Sequence, residues 1–392
     1  MKFIDEINCK DKKFVVRADL NVPLDETKKI TDDSRIKGFL PTLKHILCSG
    51  GSAIVMSHLG EPAGVGFDPV FSLKPVAQRL SELLGEDVTL SNEVVGESVK
   101  KLAAELPAGK VLLLENLRFH AGEKKNDLVF AAELASLGDI YICDAFATAH
   151  RAHASMVGIP AIMKEKAAGL LVKKELKFFD KVLLNPKRPL CVVLGGSKVS
   201  SKLNALLNVA TKADKLIIGG AMANTFLAAQ GLQMGRSLYE PDLIPKALEL
   251  LGNLARKGCK VYLPVDLVVG PSLNSKGFAR SVPSLEIPAD LMALDIGPAT
   301  RILFNQAVQS PETILWNGPM GAFENEEYSK GTTCMIESLA NAHGLTVVGG
   351  GDTDSAIQGM QLLHKFDYVS TGGGAFLALL EGKKLPAFEA LD

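Results

Sequence analysis

The sequence predicts an α/β protein whose two halves are each built on a doubly wound parallel sheet, with a helix as the connector. Three observations carry this. Short apolar, β-branched runs recur along the chain, and each stops at Gly, Asp, Asn or Ser. Such unbroken runs suit strands buried on both faces, as in parallel sheets. Segments of helical period separate them, and strands alternating with helices mean α/β. Finally, the chemistry at the strand ends changes near the middle of the chain, from Arg and His to Gly clusters.

In order, the strand runs are FVVR (14–17), SAIVMS (52–57), KVLLLEN (110–116) and DIYICD (139–144), then LCVVLGG (190–196), KLIIGG (215–220), KVYLPVD (260–266), TILWNG (313–318) and LTVVGGGD (345–352). Helices are predicted over 73–85, 125–138 and 241–258. The last has Ile244, Leu248, Leu251 and Ala255 at helical spacing and Gly258 as its stop. A further helix over 166–183 carries a stripe of Ala168, Val172, Leu176, Phe179 and Leu183 and meets the two prolines of NPKRP at 185–189. The domain connection is placed there. Five of the seven histidines precede it.

At roughly 150 residues per domain, 392 residues give a prior of two or three domains. Hydrophobic residues at 47 % and charged residues at 22 % are globular values, which excludes a disordered or fibrous chain. A net charge of −1 argues against a protein devoted to nucleic acid or to an anionic membrane. The six cysteines show no CxxC and no metal-ligand spacing, so they read mostly as small buried hydrophobes. With no signal-peptide pattern and no apolar run of about 18 residues, the expectation is a cytoplasmic protein in a reducing compartment.

The second half has glycine corners at 195–202 (GGSKVSSK), 219–226, 317–324, 349–354 and 371–375. Ligands of open α/β sheets sit beyond the carboxyl ends of the strands, where Gly allows close backbone approach and helix-start amides face an anion. One GG pair is as often a turn, but the set indicates a phosphate-bearing ligand. Neither GxxxxGK[ST] nor a strand-following GxGxxG occurs, which excludes a P-loop protein and weakens a dinucleotide-dependent dehydrogenase. Lys198 and Lys202 follow Gly195-Gly196 four residues apart. On a helix they share a face, so both ammonium groups can meet one polyphosphate; the competing reading is two solvated lysines. Asp352 within GGGDT suits a carboxylate meeting Mg²⁺ and phosphate, with a plain helix cap as the competitor.

The first half instead offers RADLN at 17–21, Arg35, His58 in SHLGEP, Arg118 in ENLRFH, and His150, Arg151 and His153 in DAFATAHRAH. Arg binds phosphate and carboxylate oxygens through paired donors. Each group alone is ambiguous, but the set indicates a small polyanionic substrate. A hinged binding protein is the non-enzyme alternative, and it would have no need of the lysine pair or Asp352.

The strings VRADLNVP, SRIKGFLPTL, SHLGEP, LLLENLRFH, DAFATAHRAH, LGGSKVSSKL, IIGGAMANTF, LWNGPMGAFE, VGGGDT and STGGGAFLALLEG occur in the order in which they occur in phosphoglycerate kinases, and the chain resembles that family from residue 3 to 391. The resemblance implies two similar-sized Rossmann-like lobes joined by a helix and hinge. It implies a phosphoglycerate-binding domain at 1–165, a connecting helix at 166–184, a nucleotide-binding domain at 185–375 and a tail at 376–392 returning to the first. It places 3-phosphoglycerate or 1,3-bisphosphoglycerate against Asp19, Asn21, Arg35, His58, Arg118 and Arg151. ADP or ATP with Mg²⁺ would meet Lys198, Lys202, Gly220, Gly321, Glu324, Gly350, Gly351, Asp352 and Thr353, with Glu324 at the ribose and Asp352 at the metal. A monomer is implied, with Arg35 and Lys198 as the catalytic pair.

The implied reaction moves a phosphoryl group between an acyl phosphate and ADP. In reverse the attacking carboxylate is already ionised, since carboxyl groups titrate at about 4, so no general base is expected. Bringing two polyanions in line across a closing hinge is the task. One departure stands out: the family reads HLGRP where this chain has Glu61. A unit charge at about 4 Å is worth roughly 1 kcal/mol in water and about 4 at intermediate dielectric. The expectations are weakened substrate binding, compensation by a neighbour such as Arg17, or a Glu61 turned to solvent, with tighter binding in Glu61→Arg; an inactive family member is the alternative resting on Glu61. Ala147 for the usual Gly and Ser201 for a frequent Asp are smaller departures.

Overall fold

A computed structural model describes residues 1–392 and divides them into two compact units, Met1–Leu176 with Lys384–Asp392, and Lys177–Lys383. In the first unit six strands form one parallel sheet: β1 (Lys13–Ala18), β2 (Ser52–Met56), β3 (Val88–Leu90), β4 (Val111–Leu113), β5 (Ile140–Asp144) and β6 (Lys166–Ala168). Their order is β3-β4-β2-β1-β5-β6. β2 and β5 flank β1, in register as Val16↔Val55 and Val16↔Ile142. β2 and β5 are buried along their whole length, which is why they are apolar without alternation. Phe14, Val16, Val55 and Ile142 pack against Phe39 and Leu43 of the helix Ser34–Cys48.

The second unit holds β7 (Leu190–Leu194), β8 (Lys215–Ile218), β9 (Lys260–Tyr262), β10 (Asp266–Gly270), β11 (Arg280–Pro283), β12 (Met292–Ile296), β13 (Thr313–Asn317), β14 (Leu345–Gly349) and β15 (Tyr368–Ser370). Six of them form a parallel sheet in the order β15-β14-β13-β7-β8-β9, and β11-β10-β12 form a small antiparallel sheet. Trp316, Phe304, Met335 and Val193 lie in the core beside the large sheet.

In each large sheet the direction of winding reverses once, between β1 and β5 and between β7 and β13. The two crevices that such reversals open are where the loops after β1 and β5, and after β7 and β13, diverge. All nine predicted runs contain a strand, but the boundaries of several elements differ. KVYLPVD is two strands, because Pro264 cannot donate to a ladder and the chain leaves the parallel sheet there. The antiparallel sheet was not expected from the sequence. The stretch 166–183 opens as β6, becomes a helix only at Leu170–Phe179, and runs on as a wider helical turn over Asp180–Leu184. Asp144 at the end of β5 accepts from the Val172 amide at the start of that helix, and Gly169 sits against its carboxylate with no room for a Cβ. The predicted helix 125–138 divides at Asn126, which is left-handed, and restarts at Leu128 with Asp127 as its cap.

The segment 373–380 is a helix of the second unit, and the returning stretch begins only at Lys384. Lys166 Nζ donates to the Ala390 carbonyl at 2.7 Å, the Ala387 amide to Ala149 at 3.2 Å, and the Met1 ammonium to Asp392 at 2.9 Å. No helix is long and apolar enough to cross a membrane.

Ile142→Ala, at the centre of β5, is expected to lower the unfolding free energy by about 2–5 kcal/mol, read by urea unfolding followed by circular dichroism.

Candidate functional site

The first unit gathers its arginines where the loops leave β1, β2, β4 and β5. Arg17, the penultimate residue of β1, is 1 % exposed. Its Nε donates to Ser155 Oγ at 2.9 Å, one Nη to the Ala18 carbonyl, and the other to His58 Nδ1 at 3.2 Å. An arginine has only donors, so His58 Nδ1 is the lone-pair nitrogen and Nε2 carries the proton. Ser155 passes the connection to Glu123, whose carboxylate accepts from the Ser155 hydroxyl at 2.6 Å and amide at 3.0 Å. Glu123 is thus a wholly buried counter-charge to Arg17.

Arg35 lies in the first turn of the helix Ser34–Cys48 and donates to Asp19 Oδ2 at 2.9 Å. Asp19 also accepts from the Asn21 amide, and Asn21 Oδ1 accepts from the Gly60 amide at 2.8 Å. The loop after β2 is therefore fixed to the loop after β1. Arg118 Nη1 donates to the Gly60 carbonyl at 2.7 Å and to Glu61 Oε1 at 2.5 Å, and its buried Nε has no partner. Asn116 holds the same loop through the Leu59 and Phe71 carbonyls. Asp19, Asn21, Arg35 and Arg118 are joined by these bonds into one network, and His58, bonded to Arg17, lies beside it with Nδ1 4.0 Å from Asp19 Oδ1. Arg151 reaches it through Glu61, at 3.9 Å.

The histidines here stay neutral. Burial pushes the His58 imidazole well below its ordinary value, and Arg17, Arg118, Arg151 and Arg35 add to the shift. Burial, then Arg17, Arg118 and Arg151, push His153 down to about 4. For Glu61, burial acts to raise the carboxyl, but Lys124 and Arg118 overcome it and hold the group below its ordinary range.

Arg17 is not the residue that answers Glu61. It is committed to Ser155, Ala18 and His58, and the compensating cations are Lys124 at 2.5 Å, Arg118 and Arg151. Glu123, Ser155 and Lys124 escaped the sequence reading, since nothing in their spacing ties them to residues over thirty positions away. Ala147 lies in the short turn Phe146–Thr148.

In the second unit the loops after β7, β8 and β13 meet backbone to backbone. Gly195 donates to the Asn317 carbonyl, Gly196 to Pro319, Gly220 to Met320 and Met222 to Gly196, at 2.9–3.0 Å. A Cβ on Gly220, whose φ is +63°, would lie 2.6 Å from the Gly196 amide nitrogen. These glycines are required by close approach. The amides of Gly195, Gly196 and Gly220 are satisfied within the protein, so they are not the phosphate donors that the GG pairs suggested.

Beside these loops lies a cavity of about 510 Å³, lined by Gly220, Gly321, Glu324 and Asp352 among the predicted residues and by apolar side chains such as Leu267 and Met292. Its size and mixed lining are those of a small-molecule site. Asp295, also at its wall, was not singled out by the sequence. It is 3 % exposed, accepts from the Gly331 amide at 2.7 Å, and burial pushes its carboxyl up to about 7. Gly350, with φ +116°, precedes the helix Gly351–Gly359, which puts Gly351, Asp352 and Thr353 in its first turn. The Thr353 hydroxyl is buried and accepts from the Gly318 amide at 2.9 Å.

Lys198 and Lys202 do not share a helix face. The helix begins only at Leu203, because Ser201 Oγ bonds the Lys198 carbonyl at 2.8 Å and closes a turn instead. Lys198 is exposed. Lys202 is half-buried, with Nζ donating to the carbonyls of Gly195 at 2.6 Å and Asn317 at 3.3 Å. Burial lowers its pKa to about 8, against the opposing pull of Asp352. No three His, Cys, Asp or Glu residues converge as a metal cage. Asp352 is exposed at the cavity wall, and a single carboxylate fits Mg²⁺ that completes its shell with phosphate oxygens and water.

The family model for phosphoglycerate kinase matches residues 4–383. A phosphoglycerate kinase of Geobacter metallireducens is 49 % identical, covering 100 % of this chain and 98 % of the relative. A cytosolic phosphoglycerate kinase of Triticum aestivum is 47 % identical, over 99 % of this chain and 97 % of its own. The solved phosphoglycerate kinase of Coxiella burnetii matches with a TM-score of 0.89 at 39 % identity, covering 99 % of this chain and 98 % of that one.

The His153 imidazole is expected to titrate at about 4 by NMR, against about 6.5 when unfolded. Between those values the unfolded chain binds the extra proton, so this group costs stability as the pH falls from 6.5 toward 4. His153→Gln should flatten that loss in pH-dependent urea unfolding.

Proposed function

The chain belongs to the phosphoglycerate kinase family, and on that premise we propose that it transfers a phosphoryl group reversibly between 1,3-bisphosphoglycerate and ADP, giving 3-phosphoglycerate and ATP. The observation that carries this reading is the pairing of two unlike sites in one chain. One is an arginine network with neutral histidines; the other is a cavity of nucleotide size walled by Asp352 and Glu324.

The first site takes the phosphoglycerate. Arg118 and Arg151 face an anion already, in the form of the Glu61 carboxylate, and so mark where a substrate phosphate sits. Arg35 is held by Asp19 with donors to spare for the carboxyl end. In the second site the apolar walls take the base, Glu324 the ribose, and the start of the helix Gly351–Gly359 faces the phosphates. Lys202 braces the strand ends after β7 and β13 and adds positive charge beside them. Asp352 would hold the Mg²⁺ that comes with the nucleotide, which would supply charge neutralisation along the phosphates.

No side chain is needed as a general base, because the attacking oxygen is an ionised carboxylate or phosphate. The low pKa of His153 fits that reading. Arg35 and Lys198 stabilise the moving phosphoryl group. They belong to different compact units, so transfer requires a hinge closure that also excludes water. Each site is built within one chain, which supports a monomer. The cytosolic Triticum aestivum relative supports a cytoplasmic setting.

In an assay with 3-phosphoglycerate and MgATP, coupled to reduction of the acyl phosphate, the protein is expected to turn over. Arg35→Ala and Lys198→Ala should each lower kcat by about 10²-fold or more, the usual cost of one transition-state donor. Absence of turnover in the folded wild-type protein would overturn the assignment.

A further inference from the structure

The Glu61 carboxylate stands where an anionic ligand of the first unit would stand. Oε1 lies 2.5 Å from Arg118 Nη1 and 3.9 Å from Arg151 Nη1, and Oε2 lies 2.5 Å from Lys124 Nζ. The exposures of the partners differ. The Arg118 side chain is 2 % exposed and also pinned to the Gly60 carbonyl, whereas the Glu61 side chain is 61 % exposed. The backbone beneath Glu61 is fixed, since Gly60 is held from one side by Asn21 and from the other by Arg118. The Glu61 side chain can therefore rotate into water while the arginine and the loop stay in place. Three cations face this one carboxylate, which leaves a surplus of positive charge for a more highly charged ligand.

We propose that Glu61 is a built-in competitor for the phosphate subsite, and thereby a specificity-determining residue of the phosphoglycerate site. This rests on the reading that the arginine network binds the phosphoglycerate. A tethered carboxylate is present at high effective concentration, so a free carboxylate or a singly charged anion gains nothing by displacing it. A phosphate dianion does gain, because it meets Arg118, Arg151 and Lys124 with twice the charge and a third oxygen. The site then selects ligands that carry a phosphate and discriminates against common monoanions, at a cost in affinity.

The test is calorimetric titration of the full-length protein with 3-phosphoglycerate and, separately, with inorganic phosphate and acetate. Glu61→Gln keeps the shape and removes the charge. It is expected to bind 3-phosphoglycerate and inorganic phosphate about tenfold more tightly and to gain measurable acetate binding. Glu61→Asp keeps the charge but is one methylene too short to span Arg118 and Lys124, and it should tighten phosphate binding several-fold. Unchanged or weaker binding in Glu61→Gln would overturn the proposal. Wild-type behaviour in Glu61→Asp would reduce the effect to distant repulsion and overturn it equally. If inorganic phosphate tightens in both variants while 3-phosphoglycerate binds none of the proteins, the competitor stands and the assignment of the substrate fails instead.

Discussion

Like charge confined at one edge of a sheet is the constraint on which the first unit depends. Four arginines lie at or beyond the carboxyl ends of β1, β4 and β5, and in a half-buried setting they repel one another. The structure gives Arg17, Arg35 and Arg118 each a separate carboxylate: Glu123 through Ser155, Asp19, and Glu61. Because those acceptors come from distant loops, neutralising the arginines also ties the loops together. Asn21, Gly60 and Asn116 then fix the backbone between them. Burial, with the same charge adding to it, keeps His58 and His153 unprotonated, so that they act as neutral hydrogen-bonding groups.

The second unit solves a different problem. Its ligand site needs room at the reversal between β7 and β13, and the loops there are drawn together by glycine rather than by charge. Gly195, Gly196, Gly220 and Gly318 allow carbonyl and amide to meet across three loops at distances that a Cβ would forbid. Lys202 finishes the junction by bridging two carbonyls. The cavity beside it is left with an apolar wall and a rim of Glu324 and Asp352.

What was legible in the sequence follows from range. The strands of both sheets could be read because a strand buried on two faces has few alternatives to a continuous apolar run. Asp19, Arg35, His58, Arg118 and Asp352 could be read because each sits at a strand end or helix start, where chemistry collects in α/β proteins. The antiparallel sheet β11-β10-β12 was missed because β11 is short and mostly exposed, and because the antiparallel pairing of β10 with β12 is set by contacts distant in sequence. The lysine pair was placed on a helix because spacing alone does not reveal that Ser201 closes a turn there.

The sequence by itself therefore determined the α/β class, the family and the positions from which charge could act, since these depend on local pattern and on motif order. Only the tertiary structure decided which charges meet. Glu61 could be recognised as out of place from its motif, yet its partners Arg118, Lys124 and Arg151 lie 57, 63 and 90 positions away. Likewise the glycine pairs announced close approach, but only the fold showed that backbone approaches backbone there and that the ligand cavity lies to the side. Pairing across such distances is set by the order of strands in the sheet, which no local stretch of sequence encodes.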